Sequence, residues 1–277
     1  MTIRFTKMHG LGNDFMVIDA VRQTINVDAA DIANWAKRDT GIGFDQCLIV
    51  EPSPAPDSDF FYRIFNANGQ EVGQCGNGAR CLARFLLHYD LTSKKQISVA
   101  TRTTRMMLQI NPDDSVTVDM GTPKLAPPDI PLLAGQQATF YQLELANGLS
   151  YPVHALSVGN PHAVSVVEAL DQLNLNQLGK EISEHPLFPE QSNAGFMEII
   201  NKDQIRLRVY ERGCGETKAC GSGAVAAAAI ARLYYQSSNL IHVQLPGGEL
   251  IIEWPDVNGP IFLKGPAEFV YEGVLLL

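Results

Sequence analysis

The feature that most constrains this chain is a repeat. "CGNGARCLARFLLHY" begins at Cys75 and "CGSGAVAAAAIARLY" begins at Cys220. Laid on each other, they share the cysteine, both glycines, two alanines and the final tyrosine. Each reads as a glycine-rich turn entering a helix. In the first, Cys81, Leu82, Phe85, Leu86 and Tyr89 fall on one helical face. In the second, residues 224–231 are apolar all round, which fits a helix buried on every side. The repeat extends upstream. Asn13 follows Gly12 as Asn160 follows Gly159, and the next polar positions, Gln46 and Asn193, each come 33 residues later. Asn66 precedes Cys75 by nine residues, and Glu211 precedes Cys220 by nine. One polar framework is used twice, with small gaps. The expected fold is a duplicated αβ unit whose copies face each other across a cleft, each presenting one cysteine.

Between these positions the pattern is mostly short strands with turn punctuation. Period-2 runs recur near residues 15, 47, 60, 96 and 115, and the second half adds YPVHALSV, HAVSVVE, FMEII, QIRLRVY, HVQLPGGELIIEW and EFVYEGVLLL among others. Further helices are expected over residues 28–38 and 175–184. Residues 51–59 read as a proline-rich surface loop. Residues 121–131 hold four prolines and make the best domain boundary, which suits a 277-residue chain divided into two domains.

Composition excludes several classes. The net charge of −9 comes with no basic cluster, so neither nucleic acid nor an anionic membrane is an expected partner. No signal core opens the chain, and the longest apolar run, residues 224–230, is too short to span a bilayer. Five cysteines are an odd number in a chain too long to need disulfide staples. A cytoplasmic protein with reduced thiols is expected. No Cys/His cluster has zinc spacing, and no phosphate loop, dinucleotide fingerprint or lysine-centred cofactor signature is present. No metal and no cofactor are expected.

A glycine-rich loop at a helix N-terminus offers unpaired N–H groups and positive partial charge, so a carboxylate docks there. A thiol at the same place is expected to be pushed toward thiolate. Two such loops gripping one carboxylate put two sulfurs about the adjacent carbon. One abstracts the α-hydrogen and the other returns a proton, while the helix ends stabilise the charge that builds. Cys47 and Cys81, inside apolar patterns, read as structural, and so does Cys214 in its turn. His162 lies on the repeat framework and reads as a site residue. Glu211 and Arg212 are either a solvated ion pair or ligands for an amino group and a carboxylate. Rival readings are a metal or redox module and a non-catalytic amino-acid-binding protein. The second of these leaves the paired thiols unexplained.

CGNGARC, YERGCGETKACGSGA and the early HGLGNDFMVID together resemble the diaminopimelate epimerase family, over essentially the whole chain. The resemblance implies an α/β (α+β) fold of two pseudo-symmetric domains, each a curved mixed sheet around a central helix. It places the first domain at residues 1–121 plus 266–277 and the second at 122–265. It implies cofactor-independent interconversion of LL- and meso-diaminopimelate, in lysine and peptidoglycan precursor synthesis. Cys75 and Cys220 become the acid–base pair, supported by His162 and Glu211. Gly76, Asn77, Gly221 and Ser222 bind the reacting carboxylate. Asn13, Gln46, Asn66, Asn160, Asn193, Glu211 and Arg212 hold the rest of the substrate. A homodimer is implied too, and the apolar tail EFVYEGVLLL is the one interface the sequence offers. Within the same fold a proline or hydroxyproline racemase is the nearest alternative. The five amides and the arginine favour a longer, doubly charged substrate. Two departures stand out: NANGQ replaces the usual NADGS at residues 66–70, and Ser222 replaces a common Thr.

Overall fold

The computed structural model describes residues 2–73 and 76–276. The chain divides into two units, Met1–Asp119 with Gly265–Leu277, and Met120–Lys264.

The first unit contains β1 (Thr2–Gly10), β2 (Asn13–Asp19), α1 (Ala29–Trp35), β3 (Gln46–Pro52), β4 (Phe60–Asn66), β5 (Glu71–Val72), α2 (Gly76–His88), β6 (Gln96–Ala100), β7 (Arg105–Ile110) and β8 (Val116–Asp119). The second contains β9 (Tyr141–Glu144), β10 (Ser150–Ser157), β11 (Pro161–Val166), α3 (Leu175–Ser183), β12 (Asn193–Asn201), β13 (Gln204–Glu211), β14 (Gly215–Thr217), α4 (Gly221–Tyr234), β15 (Leu240–Leu245), β16 (Gly248–Glu253) and β17 (Phe262–Gly265). The last strand, β18 (Glu268–Leu276), returns to the first unit and pairs antiparallel with β1.

The two sheets have the same order and the same strand directions. In the first unit it is β18-β1-β2-β3-β4-β6-β7-β8, with β2–β3 and β4–β6 parallel and the other neighbours antiparallel. In the second it is β9-β10-β11-β12-β13-β15-β16-β17, with β11–β12 and β13–β15 parallel. β18 therefore fills in the first unit the place β9 fills in the second. The register repeats as well: Phe15 pairs with Gln46 as His162 pairs with Asn193. The polar framework read from spacing is thus a repeat in three dimensions.

Each sheet curves around its central helix. α2 packs on β1, β2, β3, β7 and β8, and α4 on β10, β11, β12, β13, β15 and β16. This explains the composition of α4, whose residues 223–231 are all buried. It also explains why β2 and β3 carry unbroken apolar runs. Phe15 and Leu48 face Gly78 of α2, while Met16, Ile18, Cys47 and Ile49 pack with Ile32 and Trp35 of α1 on the opposite face. α3 covers the second sheet in the same way, with Leu175 and Ile182 against Ala163, Ala194 and Phe196.

α1 is shorter than the expected 28–38 helix. Asp28 caps it, and the Trp35 carbonyl is taken by the N–H groups of Ile42 and Gly43. The proline-rich loop begins only after Pro52, which still belongs to β3. HVQLPGGELIIEW is a hairpin with Pro246 and Gly247 at its turn. Residues 121–131 include a single 3-10 turn, Pro127–Asp129.

Candidate active site

In the second unit Cys220 is the N-cap of α4 and is 3% exposed. Its sulfur accepts from the Gly223 N–H at 3.4 Å and lies 3.6 Å from Ser222 Oγ. Gly223 is needed for this approach, since a Cβ there stands 3.2 Å from the sulfur. The thiolate expectation fails here. Burial pushes the Cys220 thiol well up, and the nearby Glu211 charge adds to it, against the smaller opposing effect of Ser222 and the Gly223 N–H. Desolvation outweighs the helix terminus, so Cys220 rests as a thiol.

Glu211 ends β13, where its Oε1 accepts from Thr217 Oγ1 at 2.5 Å. Arg212 is exposed and donates to the Glu190 carbonyl at 2.8 Å, and its own N–H goes to Asn193 Oδ1 at 3.0 Å. Glu211 and Arg212 thus have separate partners. His162, on β11, is completely buried. Burial, with the Arg212 charge adding to it, lowers its pKa to about 3, so the ring is neutral. Its Nε2 is 3.0 Å from Asn160 Oδ1, and Asn160 Nδ2 donates to Ser222 Oγ at 3.3 Å. Asn193 is buried and donates to the Pro161 carbonyl at 3.4 Å. The fold therefore gathers His162, Asn160, Ser222 and Cys220 into one hydrogen-bonded series at the start of α4, with Gly221 as its first helical residue.

In the first unit Cys75 lies outside the described residues. Gly76 and Asn77, buried, open α2. Asn77 Nδ2 donates to Asn13 Oδ1 at 3.1 Å, and Asn13 Nδ2 donates to Asp45 Oδ2 at 2.9 Å. Gln46 and Asn66, paired across β3 and β4, are joined by a 2.9 Å bond from Gln46 Nε2 to Asn66 Oδ1. In NANGQ the side chain of Asn68 holds the turn. Asn68 Oδ1 accepts the Gln70 N–H at 2.9 Å, a turn bond that an aspartate makes equally well.

Two side chains not singled out in the sequence belong to this group. Arg80 is fully buried and donates to Asn77 Oδ1 at 3.0 Å and, through Nε, to the Pro266 carbonyl at 3.0 Å. Asp45 binds Asn13. The repeat carried a signal for both. Arg80 stands where the second copy has Val225, and Asp45 where it has Ser192. A charge opposite a small or apolar residue in a buried repeat marks a divergent role.

A cavity of about 540 Å³ opens in the first unit beside Arg4, Phe5, Tyr89 and Glu272. None of the candidate residues lines it. Among the described residues no group of three or more His, Cys, Asp or Glu is placed to hold a metal ion.

The family model for diaminopimelate epimerase matches residues 5–126 and 154–270. A diaminopimelate epimerase of Legionella pneumophila strain Philadelphia 1 is 63% identical over the full length of both chains. One of Pseudomonas aeruginosa strain LESB58 is 50% identical, again over both full lengths. Among solved structures, a hydroxyproline epimerase from Agrobacterium vitis superposes with a TM-score of 0.70 at 14% identity, covering 99% of this chain and 91% of its own. A Bacillus anthracis phenazine biosynthesis protein of the PhzF family gives 0.69 at 17% identity, with both chains fully covered. At such identities the last two share the fold and nothing more is drawn from them.

Proposed function

The chain belongs to the diaminopimelate epimerase family, and from that premise we propose that it interconverts LL- and meso-diaminopimelate, an isomerase step of lysine and peptidoglycan precursor synthesis, by cofactor-independent proton transfer between two cysteines. The observation that carries this reading is Cys220 at the N-terminus of a central helix, on a polar framework that the first unit repeats in register.

The α-hydrogen of an amino acid is a weak acid, so removing it needs a desolvated base and strong stabilisation of the charge left behind. The N–H groups of Gly221 and Ser222, and of Gly76 and Asn77, are the proposed donors to the reacting carboxylate, where the helix ends favour developing negative charge. Cys220, held as a thiol by burial and by Glu211, is poised to donate. Cys75 abstracts when Cys220 donates, and the roles exchange in the reverse direction. His162 stays neutral and keeps the Asn160 amide directed at Ser222. Glu211 and Arg212 provide opposite charges for an ammonium and a carboxylate, and Asn13, Gln46, Asn66, Asn160 and Asn193 supply the amides a long, doubly charged substrate requires.

Two further points belong to the same proposal. The enzyme works as a homodimer through β18, whose Val270, Val274 and Leu276 are exposed. Its partner among the described strands is β1, so its other edge is open to association. The setting is cytoplasmic, in keeping with Cys47 and Cys220 as thiols rather than disulfides among the described residues. No helix of the described residues is long and apolar enough to cross a membrane.

The test is a stereochemical assay of the purified protein with LL-diaminopimelate, L-proline and D-proline. The reading expects meso-diaminopimelate from the first and no change in the others. Racemisation of proline with LL-diaminopimelate untouched refutes it.

A further inference from the structure

Asn13, Asn77 and two charged side chains form a series of hydrogen bonds with a fixed direction. Arg80 Nη1 donates to Asn77 Oδ1 at 3.0 Å, Asn77 Nδ2 donates to Asn13 Oδ1 at 3.1 Å, and Asn13 Nδ2 donates to Asp45 Oδ2 at 2.9 Å. An isolated asparagine amide sits equally well in either of two orientations. These two do not have that choice. A guanidinium has no acceptor and a carboxylate has no donor. Turning Asn77 over sets its NH₂ against Arg80. Turning Asn13 over sets its carbonyl oxygen against Asp45. Turning both leaves a clash at each end. The direction therefore follows from the chemistry of the terminal groups.

Both ends are anchored. Arg80 is fully buried and also holds the Pro266 carbonyl. Its guanidinium packs over Gly10, where a Cβ stands 2.9 Å from Nη2. Asp45 accepts from Arg38 Nη2 at 2.7 Å and from the Asp14 N–H at 3.1 Å. Arg38 reaches Asp14 as well, at 2.9 and 3.0 Å, and the buried Lys7 lies 2.6 Å from that carboxylate. Burial alone raises the Asp14 pKa, but the bonds from Arg38 and Lys7 overcome it and hold Asp14 ionised, well below the usual carboxylate range.

We propose that Asp45 and Arg80 are positioning residues for the binding site: between them they fix the orientation of the Asn13 and Asn77 amides, so that Asn13 keeps an N–H for a ligand oxygen. A turned Asn13 would present a carbonyl oxygen in its place and repel a carboxylate. The consequence for turnover rests on the proposed function. The fixed orientation itself does not.

Asp45→Asn tests it, because Arg38 claims the new carbonyl oxygen and the new NH₂ faces two donors, Asn13 Nδ2 and the Asp14 N–H. The first measurement needs no substrate. In the 15N-labelled full chain, the side-chain amide signals of Asn13 and Asn77 are assigned by single substitution. D45N is expected to move the Asn77 pair, although Asp45 does not bond to Asn77, and an unmoved pair overturns the proposal. Arg80 gives a second route if D45N unfolds. Arg80→Lys still only donates and leaves both pairs near their wild-type positions, whereas Arg80→Gln, which accepts as well, moves both. Identical spectra for the two Arg80 variants contradict the account.

The kinetic arm uses LL-diaminopimelate. Hydrogen bonds to charged groups are worth enough that D45N is expected to raise KM about ten- to a hundredfold, with kcat changed less than about threefold. The double variant N13D/D45N restores a matching acceptor and donor. Its melting temperature should recover while its KM does not, since the Asn13 N–H is gone. Recovery of both together assigns Asp45 a purely structural role and overturns the proposal. Wild-type protein that leaves LL-diaminopimelate unchanged while the amide signals respond as expected supports the series and refutes the substrate reading.

Discussion

The two units share a sheet order, a register and a central helix, yet their polar frameworks are chemically unlike. In the first, Asn13 and Asn77 are held between a guanidinium that only donates, Arg80, and a carboxylate that accepts, Asp45. In the second, Asn160 lies between a neutral, buried His162 and Ser222, with burial, and then Glu211, raising the pKa of Cys220. Phe15 occupies the place of His162, and Val225 the place of Arg80. Duplication supplied two copies of a backbone that ends in a helix N-terminus. Divergence then set the amides of one copy between a guanidinium and a carboxylate, and left the other dependent on burial and a carboxylate.

The largest expected effect comes from removing the donor itself. Cys220→Ala should slow inversion by about 10³-fold or more, since proton transfer from a positioned group contributes on that scale. Cys75→Ala should do the same if the copies are partners in one reaction. A variant of either cysteine with near-wild-type turnover breaks the comparison at its root. Next is Glu211→Gln. Gln still accepts from Thr217, so the melting temperature should hardly change, while activity should fall about 10²-fold. The pH–rate limb belonging to Cys220 should move to lower pH, because the charge that raises it has gone. An unshifted limb separates Glu211 from Cys220.

His162→Phe converts the second framework toward the first and should cost about tenfold in rate through a loosened Asn160. Its clearer signature is in stability. The folded pKa, about 3, lies below the ordinary imidazole value of 6.5. The unfolded chain therefore takes up a proton that the folded chain refuses, so stability is lost as pH falls from about 6.5 toward about 3. At pH 5.5 that loss is about 1.4 kcal/mol, and the Phe variant should not show it in urea titrations at pH 7.5 and 5.5. The smallest effect compares the covering helices. Asp28 makes a capping box at α1, whereas the Asn174 side chain caps no backbone N–H at α3. Asp28→Ala should cost about 1 kcal/mol and Asn174→Ala only a few tenths, as read from thermal melts.

Much of this was legible in the sequence because it depended on spacing. The two 33-residue intervals end at Gln46 and Asn193, which pair with Phe15 and His162 at equivalent places in the two parallel strand pairs. The all-apolar residues 224–231 are the buried helix. What escaped depended on the surroundings. β1 interleaves charged and polar residues with its apolar ones, and β7 is short and mixed, so neither stands out beside stronger patterns. Cys220 looks like an activated thiol from its loop alone, and only burial beside Glu211 reverses that. Arg80 lies inside a motif already noticed for its cysteine and glycines, and nothing local says that its guanidinium turns back to Asn77 and Pro266. Asp45 matters through Asn13, 32 residues away.

The central claim is that two sulfurs serve opposite faces of one α-carbon, and hydrogen exchange in heavy water tests it most directly. LL-diaminopimelate is incubated with the enzyme in D₂O and sampled early. A base on each face predicts meso-product carrying deuterium at the inverted centre while recovered LL-substrate carries almost none, because the proton returned on each face comes from a different group. LL-substrate that gains deuterium as fast as product forms would show one base serving both faces, and would contradict the account.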